Sequence, residues 1–171
     1  SAFEIGSGSG CLSIAVAKSL IKENIEVQIF SIDISKDAIE VSKENLVLND
    51  LDAEIIRYYV KDVFEIEKLN RNFDYIISNP PYISLKDYEN LDKEVKDFEP
   101  KVSLTDDSGG LKFYEQIFKI ASDESFTGKV FCEIGFGQKN SIEEILKKNN
   151  FNKYIFYKDY SDIYRIIEAG K

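Results

Sequence analysis

Apolar and polar positions along this chain fall into short blocks that switch between two periods. Residues 2–5 form a brief apolar run, broken only by Glu4, that ends in E-I-G-S-G-S-G. A run this short, bounded by glycines, predicts a buried strand, and the helical spacing of apolar residues over 11–22 predicts the helix that follows. Residues 27–32, V-Q-I-F-S-I, predict a second strand that delivers Asp33 at its end. A helix over 36–48 comes next, with Ala38, Val41, Leu46 and Leu48 inward, and Asn49-Asp50 breaks it. Residues 54–60 predict a third strand ending near Asp62, Val63 and Phe64. Residues 73–78 predict a fourth, which runs straight into N-P-P-Y.

From 85 to 107 the pattern turns polar, with eight acids against four lysines. This stretch reads as a short helix and a loop, and two roles fit it: a lid or partner surface, or a solvated excursion. A helix over 111–122 then places Leu111, Tyr114, Ile117, Phe118 and Ala121 on one side. A fifth strand, 129–134, ends in E-I-G-F-G-Q, and a helix over 141–149 turns Ile142, Ile145 and Leu146 inward. Residues 151–157 and 164–169 close the chain as two strands whose short connection, K-D-Y-S-D-I, implies antiparallel pairing. No repeat, low-complexity tract or linker divides the sequence, so residues 1–171 are expected to form one domain.

Strands alternating with helices imply an α/β protein with a mostly parallel sheet, in which ligands sit beyond the C-terminal strand ends. The polar features follow successive strands at those ends: Glu4 to Gly10, Asp33, Asp62 and Asn79. They are therefore expected to line one crevice.

Each feature has a chemical and a bland reading. Gly6, Gly8 and Gly10 allow the backbone to pass close under a ligand and open a helix with free amides, or merely pack helix on strand. The spacing is a poor match to G-x-G-x-x-G/A, since the third position falls on Cys11 or Ser13, and Glu4 suits a cationic ligand end better than a pyrophosphate. Asp33, some twenty residues beyond the glycines, either accepts both ribose hydroxyls or caps the next helix. Asp62 accepts from an adenine amino group with apolar neighbours around the ring, or is an exposed loop acid. Prolines stop the fourth strand at Asn79 and stiffen Asn79-Pro80-Pro81, holding Tyr82 beside it. Such an arm offers an amide, a free carbonyl and an aromatic face, which suits a flat, uncharged amide or amino group; a plain proline turn is the alternative.

Composition narrows the chemistry. With 43% hydrophobic and 31% charged residues the chain is globular, and no apolar run approaches the roughly 20 residues of a membrane span. There is no histidine, which excludes histidine-dependent triads and removes the commonest metal ligand. A net charge of −9 opposes direct nucleic-acid binding and suits a basic protein partner. Cys11 and Cys132 read as small buried hydrophobes in a reducing compartment. No signal peptide is visible.

The order E-I-G-S-G-S-G, S-I-D-I-S, S-N-P-P-Y-I, the F-E-P of Phe98-Glu99-Pro100, E-I-G-F-G-Q and the final D-Y-S-D-I-Y-R resembles the release-factor glutamine methyltransferase (HemK/PrmC) family of class I S-adenosylmethionine-dependent methyltransferases. The resemblance implies a doubly wound, Rossmann-like fold: a mostly parallel seven-stranded sheet with an antiparallel last strand and helices on both faces. It implies a cytoplasmic, monomeric, metal-free enzyme that methylates the glutamine side-chain amide in the Gly-Gly-Gln motif of peptide release factors. On that reading Glu4, Gly6, Ser7, Gly8, Ser9 and Gly10 line the cofactor's amino-acid end, Asp33 its ribose, and Asp62 and Val63 its adenine, with Ile34 also among the cofactor-binding residues. Asn79, Pro80, Pro81 and Tyr82 hold the glutamine; Asn79 also borders the cofactor, and Asn79, Pro80 and Tyr82 are the catalytic residues. Glu4 stands where the family often has aspartate. The family also carries a helical N-terminal domain and a connecting hairpin, so these residues correspond to its catalytic domain alone. Two other functions fit the motifs: methylation of an exocyclic amine of adenine or guanine, and a non-catalytic cofactor-binding or docking module.

Overall fold

The computed structural model describes residues 1–171. Seven strands hydrogen-bond in the order 56–60, 29–33, 2–5, 75–78, 129–133, 164–170 and 153–158, and their residues divide between two compact units, 1–78 with 125–129, and 79–124 with 130–171.

The first unit holds β1 (Ala2–Ile5), α1 (Cys11–Lys22), β2 (Ile29–Asp33), α2 (Lys36–Leu48), β3 (Ile56–Val60), a single 3₁₀ turn (Val63–Glu65) and β4 (Tyr75–Ser78). β1 pairs in parallel with both β2 and β4, and β2 with β3. Successive strand side chains point to opposite faces, so each sheet face has its own cluster. On one, Ala2, Ile29 and Ile56 pack with Ile14 and Ala17 of α1 and Ile39 and Leu46 of α2. On the other, Phe3 stacks on Phe73 at 5.3 Å and the Arg71 guanidinium lies 4.4 Å from the Phe30 ring centre.

The second unit holds α3 (Leu85–Glu89), α4 (Lys93–Phe98), α5 (Lys101–Leu104), α6 (Lys112–Ala121), β5 (Lys129–Glu133), whose first residue belongs to the other unit, α7 (Lys139–Lys148), β6 (Lys153–Lys158) and β7 (Tyr164–Gly170). Its core forms around α6, which buries Tyr114, Ile117, Phe118, Ile120 and Ala121, and α7, which buries Ile142, Ile145 and Leu146. β6 and β7 pair antiparallel, as the short connection requires. Asp159 closes that turn by accepting from the amides of Ser161 and Ile163 at 2.8 and 3.1 Å. No helix is long and apolar enough to cross a membrane.

Several expectations need correction. Cys11 is exposed, because the inward stripe of α1 runs through Ser13, Ile14 and Ala17 and leaves the first helical residue off it; Cys132 is buried as expected. The inward residues of α2 are Ile39, Ser42 and Leu46. Val41 and Leu48 face solvent, at 44% and 77% exposure, since neither falls on that 3.6-residue repeat. β3 begins at Ile56 and not at residue 54, because Asp52 accepts from the Glu54 and Ile55 amides in a turn. β4 begins at Tyr75, where its pairing with Ala2 begins, so Phe73 is buried without being part of the strand. The stretch 85–107 contains three short helices, closed by a bridge between Ile83 and Thr105.

Candidate active site

The glycine turn rests on a polar layer inside the first unit. Glu4 sits opposite Ser31 of β2, which in turn sits opposite Tyr58 of β3. Its carboxylate is fully buried: one oxygen accepts from the Ser13 amide in the first turn of α1 at 3.1 Å, the other from the Ser31 hydroxyl. Ser13 Oγ lies 3.1 Å from Tyr58 Oη. Glu4 therefore holds the start of α1 from below and does not reach toward solvent. Burial is the main reason its carboxyl is pushed up to about 7, against the lowering effect of the Ser31 and Ser13 bonds.

A raised carboxyl favours the protonated native state, so its contribution is fully present below the ordinary carboxyl range and is lost as pH rises through about 7. From the displacement of 4.5 to about 7, the loss is roughly 3 kcal/mol. Glu4→Gln keeps an acceptor for Ser13 and removes the buried charge. Denaturant titrations at several pH values should show its stability flatter than the native chain's over that window and higher at about pH 8. Parallel curves for the two proteins would contradict this account of Glu4.

Above this layer the turn is open. Gly6 and Gly8 have φ of +79° and +53°, and a Cβ added to either would meet nothing within 4 Å. Gly10 has a different duty, because a Cβ there would stand 2.7 Å from Tyr58 Oη and 2.9 Å from Ser42 Cβ. Ser9 is exposed, and its carbonyl accepts from Asn45 Nδ2 at 2.8 Å. Ser7 is buried, and its hydroxyl has no hydrogen-bond partner.

Asp33 ends β2 and is tied to this turn: Oδ2 accepts from the Gly8 amide at 2.9 Å and Oδ1 from the Ser35 amide at 2.9 Å. The cap of α2 is Ser35, whose hydroxyl accepts from the Ala38 amide, so Asp33 is not the helix cap. Ile34 beside it is 55% exposed. Asp62 accepts from the Phe64 amide at 2.9 Å and caps the 3₁₀ turn. Val63 is buried, so the apolar surface available here belongs to Phe64. β4 runs beside β1 with Ser78 opposite Ile5, and Ser78 Oγ donates to the Ile5 carbonyl at 2.7 Å. Gly6 and Asn79 are thus the residues next in sequence after two paired strand ends.

In the second unit, the arm that begins at Asn79 is clamped after its first residues. Asn79 is exposed, Pro80 is buried and Pro81 and Tyr82 are half-buried. Tyr82 Oη donates to Glu133 Oε1 at 3.1 Å, and the Tyr82 carbonyl accepts from Gln138 Nε2 at 2.8 Å. Burial first, and then the Glu133 charge, raises the Tyr82 phenol above its ordinary range, so the ring stays neutral. The Ile83 amide donates to Leu104 and the Leu85 amide to Ser108, at 3.0 and 2.8 Å. Asp106, buried, accepts from the amides of Ser108, Gly110 and Lys112 and sets the turn that faces the arm. Glu133 and Gln138 had no role in the sequence reading beyond belonging to E-I-G-F-G-Q. The signal was there: a polar residue at each end of a glycine-rich run after a strand.

The pattern of the methyltransferase small domain family matches residues 1–95. The chain is 42% identical over 171 residues to the release factor glutamine methyltransferase of Fusobacterium nucleatum subsp. nucleatum, covering 98% of this chain and 46% of that protein. It is 34% identical over 169 residues to the release factor glutamine methyltransferase of Flavobacterium psychrophilum, covering 98% of this chain and 57% of that one. The chain thus spans about half the length of the curated relatives it matches. Among solved structures, the hMettl16 catalytic domain in complex with MAT2A 3'UTR hairpin 1 superposes with a TM-score of 0.72 at 14% identity, covering 99% of this chain and 63% of that one. That likeness is one of fold, a Rossmann-like methyltransferase sheet. With more than half of its length matched by the family pattern, the chain belongs to the methyltransferase small domain family.

Proposed function

We propose that this chain transfers a methyl group from S-adenosylmethionine to the side-chain amide nitrogen of the glutamine in the Gly-Gly-Gln motif of a peptide release factor. The observation that carries the reading is the Asn79-Pro80-Pro81-Tyr82 arm, which exposes one amide side chain at the end of β4 while its remaining residues are buried or half-buried. The names of the two relatives above support the substrate class.

The open turn at Gly6 and Gly8, the unpartnered Ser7 hydroxyl and the Asp33 carboxylate fit the cofactor's polar ends. Gly6 to Gly10 would hold its amino-acid end and Asp33 its ribose. Ile34 and the Asp62-Val63-Phe64 turn would border its adenine. When bound, the cofactor supplies a methyl group on a sulfonium. A glutamine amide is a poor nucleophile because its lone pair is delocalised. Asn79 Oδ1 and the Pro80 carbonyl would both accept from the substrate NH2, orienting it and stabilising the positive charge that develops on nitrogen. Tyr82, held as a neutral phenol, would lay its ring against the amide. No side-chain base is required, since the proton leaves to water after transfer.

Asp33→Ala is expected to weaken cofactor binding by roughly 1.5–3 kcal/mol, the scale of a hydrogen bond to a charged group. Isothermal titration checks this, and an unchanged dissociation constant removes Asp33 from the site. The reaction itself is tested by incubating the chain with radiolabelled cofactor and a release factor, then mapping peptides. Label on the Gly-Gly-Gln peptide supports the proposal; label elsewhere, or none, contradicts it.

A further inference from the structure

From the contacts around Tyr82 we infer that Gln138 is the positioning residue of the arm, acting through one amide nitrogen that donates to two backbone carbonyls. Nε2 reaches the Tyr82 carbonyl at 2.8 Å and the Gly110 carbonyl at 3.1 Å, while Oε1 accepts from the Gly135 amide at 2.9 Å. One side chain thus ties together the arm, the turn before α6 and the turn after β5. Both donor hydrogens and the acceptor are used, which leaves the amide no freedom to flip.

Its surroundings are built around this pose. A Cβ on Gly110 would lie 2.3 Å from the Tyr82 carbonyl oxygen and 2.9 Å from Gln138 Nε2, and one on Gly135 would lie 2.7 Å from Gln138 Oε1. Asn79 has no comparable hold of its own: it is exposed, three residues from the clamped carbonyl, with two prolines between that transmit the constraint. The direction of the proline arm, and so of the Asn79 amide, is set at Tyr82 by Gln138. This rests on the function proposed above, in which Asn79 must meet the substrate amide in one orientation.

Gln138→Glu separates the donor role from mere filling of space. It keeps the size and the acceptor for Gly135 but loses the NH2 and sets a carboxylate against two carbonyl oxygens. Protonation at lower pH returns one donor. The acids bonded to the same contacts, Glu133 through Tyr82 Oη and Asp106 through the Gly110 amide, bias an introduced carboxyl toward that protonated form, while the Arg165 charge, which also reaches Tyr82, opposes them.

The test has two arms on the full chain. Hydrogen exchange, read without substrate as protection factors, should show the Ile83 and Leu85 amides at least about tenfold less protected in Gln138→Ala and in Gln138→Glu at about pH 8. In Gln138→Glu the protection should recover toward the native value as pH falls, and protection within α7 should stay unchanged in both variants. In transfer assays kcat should fall by about tenfold or more, with the cofactor dissociation constant unchanged and the same recovery in Gln138→Glu at lower pH. Native-like protection of Ile83 and Leu85 in Gln138→Glu at about pH 8 would overturn the inference, as would equal loss of protection throughout α7. If the native chain transfers no methyl to a release factor, the function fails, while the exchange result still decides the role of Gln138.

Discussion

Asn79→Ala is expected to slow methyl transfer by at least about tenfold while leaving cofactor affinity nearly unchanged. The variant removes the acceptor oxygen proposed to receive the substrate NH2. It leaves intact the glycine turn, Asp33 and the polar layer under α1, all of which belong to the first unit. Because Asn79 is exposed, its truncation opens no cavity and should cost little stability. The interaction it removes strengthens as charge develops on nitrogen, so the effect should appear in kcat more than in KM. Single-turnover transfer and isothermal titration, run on the same preparation, separate the two quantities. Parallel losses in rate and affinity would mean that Asn79 serves ground-state binding alone.

Gly110→Ala should produce the largest loss of stability among single-methyl additions in the second unit. Its φ of +77° disfavours any side chain, and the new Cβ would stand 2.3 Å from the Tyr82 carbonyl oxygen, a backbone atom that cannot swing aside. Adding left-handed strain to overpacking gives roughly 2–4 kcal/mol, or a fall in thermal midpoint of roughly 4–16 °C for a chain of this size. Gly109→Ala is the matched control, since a Cβ there meets nothing within 4 Å. That variant should change stability by less than about 1 kcal/mol. Thermal unfolding of the two side by side is the measurement, and equal losses would show that the close approach at Gly110 carries no energetic weight.

Much of this architecture is legible because its signals are local. The glycine turn, the strand that stops at two prolines and the short hairpin connection each follow from backbone restrictions written into a few adjacent residues. Asp33 was legible as a strand-end acid, and the structure adds its tie to Gly8 across 25 residues of sequence. What escaped local reading depends on distant partners. Gln138 meets Tyr82 across 56 residues, and Glu133 meets the same tyrosine across 51. Neither bond follows from periodicity. Glu4 shows the same limit: its bonds to Ser13 and Ser31, on two other elements, do not follow from its position before the glycines. On α2, Val41 and Leu48 are apolar yet exposed, because hydrophobicity marks candidates for an inward face and the helical repeat selects among them.

That a glutamine amide accepts the methyl group is the core of the proposed function. It is tested most directly by offering the chain radiolabelled S-adenosylmethionine together with, in separate reactions, a release factor bearing Gly-Gly-Gln, the same factor with that glutamine changed to alanine, and a nucleic acid pool. The account predicts label on the first and background on the other two. Label on the nucleic acid alone, or equal label on both release factors, would contradict it.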